Sequence, residues 1–574
     1  IVPPMQSLSE AIETSKELQE EYRNIDSKRL IDMAIKLDGV VRHVGTHACG
    51  LVIADKPITN YVPVMLSKEG HITSQYDMNI IGDLGLLKMD LLGLRNLSVI
   101  SEARKLIKQD FNKDLNKISL NDKKTFELFR SAKTTSVFQL ESDGMKRYLK
   151  ELEPTSIDDI TAIISLYRPG PMELIPDYIA RKHGRKPITY LHSSLEPVLK
   201  DTYGIMIYQE QLIKAVQVLA GFSLAQADVL RKAVGKKIKK LLDEQEEGFK
   251  KGCKNNNIPN DVANKFWSLV EPFNRYGFNK SHAVCYAMIS YQTAYLKANY
   301  PIQFMIAELN SSKDIERIKE VISELKDMNI KVLPPSIDSS ESTFCRNGKN
   351  IRFGLSAIKG MNTKIVDNIL QERNKNIFVS LEDFMTRIGK DLNKKVISLL
   401  AQSGAIDDWG NRADISEMAD SIVIYSKAEV QDTLPKFIIP KIPSPTIGQR
   451  LVWEKELLGL YVSDNPARDY YSNLKTKGCT DICELANLIG KKITIGGVIT
   501  DFTKKVTRNK KTIYFITLQD MSGEIEIMLF PSVYAKYTNV FEKNNVVTLF
   551  GTIQTYGDKP KFNCLVANKI TSLA

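Results

Sequence analysis

One carboxylate, Asp90, stands in the apolar segment LLKMDLLGLR, two residues after Lys88. An unpaired charge in apolar surroundings is costly, and a bound hard cation such as Mg²⁺ would compensate it. From spacing alone, a helix cap or a local ion pair between Asp90 and Arg95 is the simpler explanation. The segment therefore offers one candidate metal ligand whose role depends on its surroundings.

A second group of possible ligands comprises His43, His47 and Cys49 in the segment HVGTHACG. Zinc sites in proteins are normally closed by four ligands. No fourth ligand lies at a suitable spacing here, and the segment leads into a predicted strand. The pattern therefore does not favour zinc.

Arg168 directly precedes a Pro-Gly-Pro turn in the segment YRPGPM. A guanidinium held by a rigid turn suits phosphate recognition, because it donates two parallel hydrogen bonds. The alternative is that the turn is only a structural corner. Arg168 is thus a candidate phosphate-binding residue.

The segment RYGFNKSHAV places two aromatic residues and two basic ones at the start of a predicted helix, capped by Asn279 or Ser281. The helix N-terminus would face a phosphate, and the aromatic rings would stack on a base. The alternative is a hinge into a core helix. The candidate residues of this segment are Tyr276, Phe278, Lys280 and His282.

Between Arg231 and Lys254 the sequence contains nine basic residues and four acidic ones. Charged runs are usually solvated helix faces, but this imbalance makes anion binding an equally good interpretation. Arg231 and Lys232 lead this run, on a helix whose apolar residues recur at helical spacing.

Two later segments fit backbone and single-strand recognition of nucleic acid. The segment AIKGMNTK resembles a helix-hairpin-helix turn, with Lys359, Gly360 and Asn362 at the hairpin. The segment 486–574 alternates apolar and polar residues between turns, which predicts a small OB-type barrel. Its candidate DNA-binding residues form a basic loop followed by an aromatic strand position: Lys504, Lys505, Arg508, Lys510, Lys511 and Tyr514.

The composition of the 574 residues agrees with these candidates. A net charge of +11 favours a polyanionic partner such as nucleic acid. The sequence shows neither a signal peptide nor an apolar run long enough to span a membrane. Seven cysteines without paired spacing fit a reduced compartment, so we expect a cytoplasmic protein.

Taken together, the motifs resemble the C family of bacterial replicative DNA polymerases, the DNA polymerase III alpha subunits. The similar segments run in family order along nearly the whole chain: LLKMDLLGLRNL, FQLESDGM, YRPGPM, YGIMIYQEQ, LRKAVGKK, YGFNKSHAV, AYLKANYP, SGAID and GEIEIMLF. The resemblance implies an α+β multidomain protein. Its implied regions are a helical thumb remnant (1–45), the C-terminal part of a palm (46–98), helical fingers (99–335), a helix-hairpin-helix region (336–412), a linker (413–485) and an OB-fold domain (486–574).

The resemblance also implies an activity, which is template-directed transfer of nucleotides from dNTPs to a primer 3′ end with Mg²⁺ as cofactor. Asp90 matches the third of three metal-binding Asp residues, and Lys88 lies beside it. Arg231 and Lys232 match a basic pair that faces the incoming nucleotide, although Arg is frequent at the second position. The residues of YGFNKSH match the fingers near the nucleotide. The matching stretch around His47 is palm strand, so the zinc interpretation is dropped.

The sequence departs from the family pattern in two places. The Pro-Asp-x-Asp motif that carries the first two carboxylates is absent, so we expect a C-terminal portion that binds DNA without synthesis. The family also places a clamp-binding peptide before the OB domain, and implies a sliding clamp and other replisome subunits as partners. Here the best match is the imperfect segment 431–437, between Gln431 and Phe437.

Two other functions stay open from the sequence. One is a non-catalytic DNA-binding protein built on the helix-hairpin-helix and OB elements, which would not need the Lys88–Asp90 or YGFNKSH segments. The other is a degenerate relative that kept the fold and lost the chemistry. The palm residues discriminate between a binder and an enzyme.

Overall fold

The computed structural model describes residues 7–40, 45–47, 49–67, 69–113, 115, 118–236, 239–273, 277–427, 443–506, 512–556 and 559–572. The chain divides into two compact units, Ile1–Leu94 and Arg95–Ala574. In the part of the chain described, no helix has both the length and the apolar character needed to cross a bilayer.

The first unit combines four short α-helices with two small antiparallel sheets. Ser7 caps the first helix through a reciprocal capping box with Glu10. Strand pairing joins β1 to β4 and β2 to β3. In chain order its elements are α1 (Leu8–Thr14), α2 (Lys16–Arg23), α3 (Ile25–Leu37), β1 (Gly50–Ile53), β2 (Val64–Leu66), β3 (Ile72–Ser74), α4 (Met78–Asp83) and β4 (Leu87–Asp90).

The β1–β4 pair has two different faces, because neighbouring strand residues point to opposite sides. Gly50 lies opposite Asp90 on one face. On the other face four apolar side chains pair across the strands, and each is between 43% and 56% exposed. They are Leu51, Ile53, Leu87 and Met89.

The second unit begins with a large helical region. The helix α15 lies at its centre and buries small and polar residues along its length, including Ser290, Thr293 and Lys297. The helices are α5 (Arg95–Phe111), α6 (Lys123–Arg130), α7 (Asp143–Leu152), α8 (Ile157–Leu166), α9 (Ile175–Lys182), α10 (Glu196–Leu199), α11 (Gln209–Ala220), α12 (Leu224–Lys236), α13 (Lys239–Asn255), α14 (Asn260–Phe273), α15 (Lys280–Asn299), α16 (Pro301–Ser311) and α17 (Ile315–Asp327).

A mixed region follows and shares one hydrophobic core with α5, α16 and α17. Its three strands form a small sheet in the order β5-β7-β6. The elements are β5 (Val332–Leu333), β6 (Cys345–Asn347), β7 (Asn350–Arg352), α18 (Thr363–Lys375), α19 (Leu381–Ile388), α20 (Lys394–Gln402), α21 (Arg412–Glu417), α22 (Ala419–Ser426), α23 (Ile447–Leu458) and α24 (Tyr471–Thr476).

A buried ion network ties α21 to α23 inside this region. The Arg412 guanidinium donates to both carboxylate oxygens of Asp407, at 2.8 and 2.7 Å, and to Glu454 at 3.2 Å. Glu454 is fully buried, and its other oxygen accepts the backbone N–H groups of Val462 and Ser463. The network therefore also fixes the chain segment that follows α23.

The C-terminal strands close into a barrel in the order β10-β12-β11-β8-β9. Inward apolar residues such as Ile495, Leu518 and Phe562 alternate with outward polar ones and fill its interior. The elements are β8 (Lys492–Val506), β9 (Thr512–Gln519), β10 (Glu524–Leu529), α25 (Pro531–Lys536), β11 (Asn545–Tyr556) and β12 (Lys559–Ser572). The predicted barrel is thus observed.

Candidate active site and nucleic-acid interface

Asp90 ends β4 and is exposed on the sheet face that it shares with Lys88. The Lys88 ammonium lies 2.5 Å from the carboxylate, and His47 Nδ1 lies 4.0 Å from it. The hydrogen bond from Lys88 lowers the pKa of Asp90 below its ordinary value. The carboxylate is therefore ionised at neutral pH, with a cationic neighbour.

The close approach of these side chains depends on Gly50, directly across the ladder. A Cβ at this position would lie 2.9 Å from His47 Nδ1 and 3.3 Å from the Asp90 carboxylate. Any larger residue would push the imidazole away. The partner expected from spacing, Arg95, instead binds the buried Glu308 at 2.8 Å.

The described residues supply an incomplete site for a metal ion. None of them form a cluster of three or more His, Cys, Asp or Glu side chains around one point. Mg²⁺ needs near-octahedral oxygen coordination, and Asp90 offers one carboxylate. His47 Nδ1 lies 3.6 Å from Cys49 Sγ, while His43 lies outside the described residues.

The ion pair with Lys88 can be tested by titration. Replacing Lys88→Ala should raise the pKa of Asp90 towards 3.8, because the largest cause of its lowering is then removed. In the wild-type protein the pair stabilises the fold above pH 3.8 and loses that contribution as the pH falls through the lowered pKa. Carboxyl NMR titration measures both values. An unchanged pKa would contradict the assigned pair, and Lys56→Ala serves as the control.

The fingers segment brings together three of the nucleotide-binding candidates. A bridge between Tyr208 and Phe278 sets the segment beside the start of α11. The Arg168 guanidinium lies over the Phe278 ring, 4.2 Å from its centroid, and donates to the Ser165 carbonyl. The His282 ring lies 5.4 Å from that of Phe278. We call this group, with Lys280, the Arg168–Phe278 cluster.

The start of α15 follows the sequence expectation in part. Asn279 is the cap, and its side chain accepts the His282 backbone N–H at 2.8 Å. The Lys280 N–H, however, donates to both oxygens of Glu210, at 3.1 and 2.9 Å. Two N–H groups of the helix terminus are therefore occupied by protein oxygens, while Lys280 keeps its ammonium near the Tyr208 ring.

The other nucleotide-binding candidates of the helical region that the structure describes pair with a residue outside this cluster. Arg231 and Lys232 on α12 both pair with Asp228, at 2.8 and 2.9 Å, and these hydrogen bonds lower the pKa of Asp228, that from Lys232 most. Tyr276 lies outside the described residues. Lys232 is thus exposed and Arg231 partly exposed on one helix, and one carboxylate balances both.

The helix-hairpin-helix turn is exposed, but one of its expected donors is occupied. The Lys359 N–H donates to the Leu457 carbonyl at 2.8 Å. Gly360 has φ of +91°, which permits the tight turn, and a Cβ added at this position would lie 3.8 Å from Lys395 Nζ. Asn362, at the position of the usual second Gly, is extended and caps α18 through the Lys364 N–H.

The barrel candidates are partly described. Lys504 and Tyr514 are opposite each other on β8 and β9, and Lys505 continues β8. Tyr514 stacks face to face on Tyr534 of α25, with ring centroids 3.8 Å apart. Arg508, Lys510 and Lys511, and the candidate clamp segment 431–437, lie outside the described residues.

Sequence reasoning missed Glu210 and Tyr534, which contact predicted site residues from elsewhere in the chain. Glu210 lies in the YGIMIYQEQ segment, and its acidic side chain beside a basic fingers segment was an available signal. Tyr534 follows a Pro-Ser-Val start typical of a short helix, which gave no sign of stacking.

Four protein-family models match successive parts of the chain. Residues 2–93 match the bacterial DNA polymerase III alpha NTPase domain and residues 96–257 match the bacterial DNA polymerase III alpha subunit finger domain. Residues 329–415 match the helix-hairpin-helix motif, and residues 493–572 match the OB-fold nucleic acid binding domain. The predicted fold class is confirmed by these matches.

Whole-chain relatives agree with the domain matches. The DNA polymerase III subunit alpha of Bacillus subtilis is 37% identical over 97% of this chain and 52% of its own length. The chain belongs to the bacterial DNA polymerase III alpha family. The relative from Aquifex aeolicus is 40% identical over 91% of the chain and 46% of its own length, and that from Escherichia coli K12 is 37% identical over 96% and 51%.

The chain therefore spans about half the length of the DNA polymerase III alpha subunits that it matches. Among solved structures, a mitochondrial single-stranded DNA binding protein from S. cerevisiae covers 14% of the chain at 13% identity, with a TM-score of 0.13. That similarity is too low to support an argument.

Proposed function

We propose that this chain is the nucleotide- and DNA-binding part of a bacterial replicative DNA polymerase, which joins dNTPs to a primer 3′ hydroxyl on a template. The observation that carries the proposal is the Arg168–Phe278 cluster, where a guanidinium and an imidazole lie against the Phe278 ring and the Lys280 ammonium lies over the neighbouring Tyr208 ring. A triphosphate needs cationic donors, and its base needs an apolar face. The names of the relatives support the same conclusion.

Asp90 is proposed as one carboxylate ligand of a divalent metal site. Its low pKa keeps it ionised, which a metal ligand requires, and Lys88 holds it in place. Asp90 would supply one of the several oxygen ligands that Mg²⁺ needs, and further ligands would complete the site. Lys88 would also place positive charge near the reacting phosphates.

Arg168, Lys280 and His282 are proposed to bind the phosphates of the incoming nucleotide. Burial lowers the pKa of Arg168, yet a guanidinium stays charged at neutral pH, so its charge meets the nucleotide with little water to displace. Arg231 and Lys232 would join them by exchanging Asp228 for phosphate oxygens. Phe278 and Tyr276 would contact the base.

The DNA partners are proposed to bind on the C-terminal half. The exposed hairpin at Gly360, with Lys359 and Asn362, fits a backbone phosphate, and the Lys504 edge of the barrel fits a single strand. Segment 431–437 is the proposed clamp contact, other replisome subunits are further proposed partners, and the cytoplasm is the proposed location. We also propose that the chain is divided into the regions that the resemblance implies, from the helical thumb remnant (1–45) to the OB-fold domain (486–574).

A non-catalytic DNA-binding protein is the competing function. It would bind primer-template DNA with the same salt dependence but show no dependence on dNTP identity. Primer extension by the full-length protein separates the two, since only a polymerase extends the primer in the order set by the template.

The decisive variant is Arg168→Ala in the full-length protein. We expect the KM for dNTP in primer extension to rise at least about tenfold, because a hydrogen bond between charged groups contributes roughly 1.5–3 kcal/mol. The matched control is Arg185→Ala, an exposed arginine of the same region.

Three outcomes would count against the proposal. They are an absence of extension by the wild-type protein, an equal KM in both variants, and a loss of DNA binding instead of nucleotide binding. Because Arg168 also packs on Phe278, Lys280→Ala is measured alongside and should raise KM without loss of the folded signal in circular dichroism.

A further inference from the structure

A cavity of about 610 Å³ opens beside α6, at the junction of α15 and α16 and the end of α17. Its apolar lining comes from Leu128, Pro301 and Met328, together with Ala298. The volume is in the range of pockets that hold small ligands. The cavity is thus large enough for one or two side chains of a partner.

The charges around the cavity are unbalanced. Its two acidic residues already have partners, because Glu127 pairs with Arg130 at 2.9 Å and Glu324 pairs with Lys297. The Lys297 ammonium also donates to the Lys133 and Thr135 carbonyls, both at 2.8 Å, so its charge is used inside the protein. The acidic residues therefore leave the rest of the rim uncompensated.

Three lysines remain at the rim, namely Lys123, Lys124 and Lys133. All three are exposed, and among the described residues no carboxylate lies within 4.0 Å of their ammonium groups, although the charge of Asp122 acts on Lys124 from a longer distance. Three like charges at one opening raise the local positive potential, which attracts an anionic partner.

We infer that this cavity binds an acidic peptide segment that carries one large apolar side chain. The apolar side chain would enter the cavity onto Leu128 and Met328, and the neighbouring carboxylates would pair with the lysine rim. Such an arrangement follows the usual anatomy of a peptide site, with an apolar anchor surrounded by polar contacts.

The lining favours a peptide over a nucleotide or a nucleic acid strand. It contains no aromatic ring on which a base would stack. Contacts to a nucleic acid backbone are made by charged surfaces and do not need an apolar floor. A peptide with an aliphatic or aromatic anchor uses both the floor and the rim.

The test is fluorescence anisotropy with the full chain and two labelled ten-residue peptides. One contains only Asp and Glu before a final Leu-Phe, and the control has Asn and Gln in place of the acids. We expect the acidic peptide to bind at least tenfold more tightly. The triple variant Lys123→Ala, Lys124→Ala, Lys133→Ala should remove that difference.

Two matched variants make the result specific. Replacing Lys108, Lys150 and Lys200 by Ala removes the same charge from exposed positions elsewhere and should leave the affinity within twofold. Met328→Glu places an acid in the cavity and should weaken binding of the acidic peptide at least tenfold. Circular dichroism of each variant confirms that it is folded.

Several results would overturn the inference. The first is equal affinity for the two peptides, and the second is an equal loss of affinity in the two triple variants. The third is displacement of the acidic peptide by dATP or a dT20 strand at a concentration lower than that of the peptide. The last result would assign the cavity to nucleotides or nucleic acid. Because the readout is peptide binding, failure here leaves the proposed polymerase function untouched.

Discussion

Asp90→Asn in the full-length protein should lower the kcat of primer extension roughly 10³-fold. The amide keeps the shape of the side chain but loses the negative charge that makes a carboxylate a strong ligand of a divalent metal. Metal ions contribute several kcal/mol to transition-state stabilisation, and each 1.36 kcal/mol corresponds to about tenfold in rate. Steady-state extension of a labelled primer at saturating dNTP measures the effect.

Asp83→Asn provides the control for this experiment. Asp83 is an exposed carboxylate at the end of α4, in the same unit, and its replacement should leave kcat within twofold. Primer-template affinity should be unchanged in both variants, because no DNA contact is assigned to either residue. A kcat for Asp90→Asn equal to that of the control would remove Asp90 from the proposed metal site.

The second large effect concerns stability. Arg412→Ala should lower the free energy of unfolding by about 3–5 kcal/mol, since it leaves the fully buried Glu454 without its cation. Urea unfolding measures this change. Trp409 lies two residues after Asp407 and Trp453 directly precedes Glu454 in the sequence, so tryptophan fluorescence reports on this region.

An exposed ion pair of the same region supplies the contrast. Lys394 and Asp420 pair at 2.6 Å with both side chains 65% exposed, and Lys394→Ala should cost less than about 1 kcal/mol. A similar small cost for Arg412→Ala would show that water replaces the guanidinium. Arg412→Met combined with Glu454→Gln then tests whether the buried charge itself is the source of the loss.

Local features of the fold could be predicted from the sequence. The cap of α15 depends on Asn279 and the next three residues, and the structure confirms one of the two proposed caps. The barrel strands could be predicted because apolar and polar residues alternate along β8 to β12. This alternation is typical of strands that have one buried and one exposed face. Both depend on residues close in sequence, where geometry is fixed by the backbone.

Partners distant in the sequence could not be predicted in the same way. The short sequence distance between Asp90 and Arg95 favours an ion pair between them, but Arg95 pairs with Glu308, 213 residues away. Glu308 is buried and also binds Arg317, so its desolvated charge recruits two guanidinium groups. Only the packing of α5 against α16 reveals that competition.

The same limit applies to Tyr514. Its position after a basic loop is typical of a ring that stacks on a nucleic acid base, and the sequence gives no reason to expect Tyr534 on one of its faces. The β-strand pattern fixes which side of the barrel Tyr514 occupies. The helix that covers that side is set by a connection whose path the pattern does not encode.

The apolar face of the β1–β4 pair has a consequence for how this polypeptide can be handled. Two strands alone are marginally stable in water, and among the described residues neither β1 nor β4 pairs with a further strand, which leaves their outer edges available to another chain. An exposed apolar surface adds to this tendency to associate, and it is formed by Leu51, Ile53, Leu87 and Met89. We therefore expect substitutions on this face to change expression yield and precipitation before they change anything else. If only activity were followed during purification, such losses of protein would be mistaken for losses of activity.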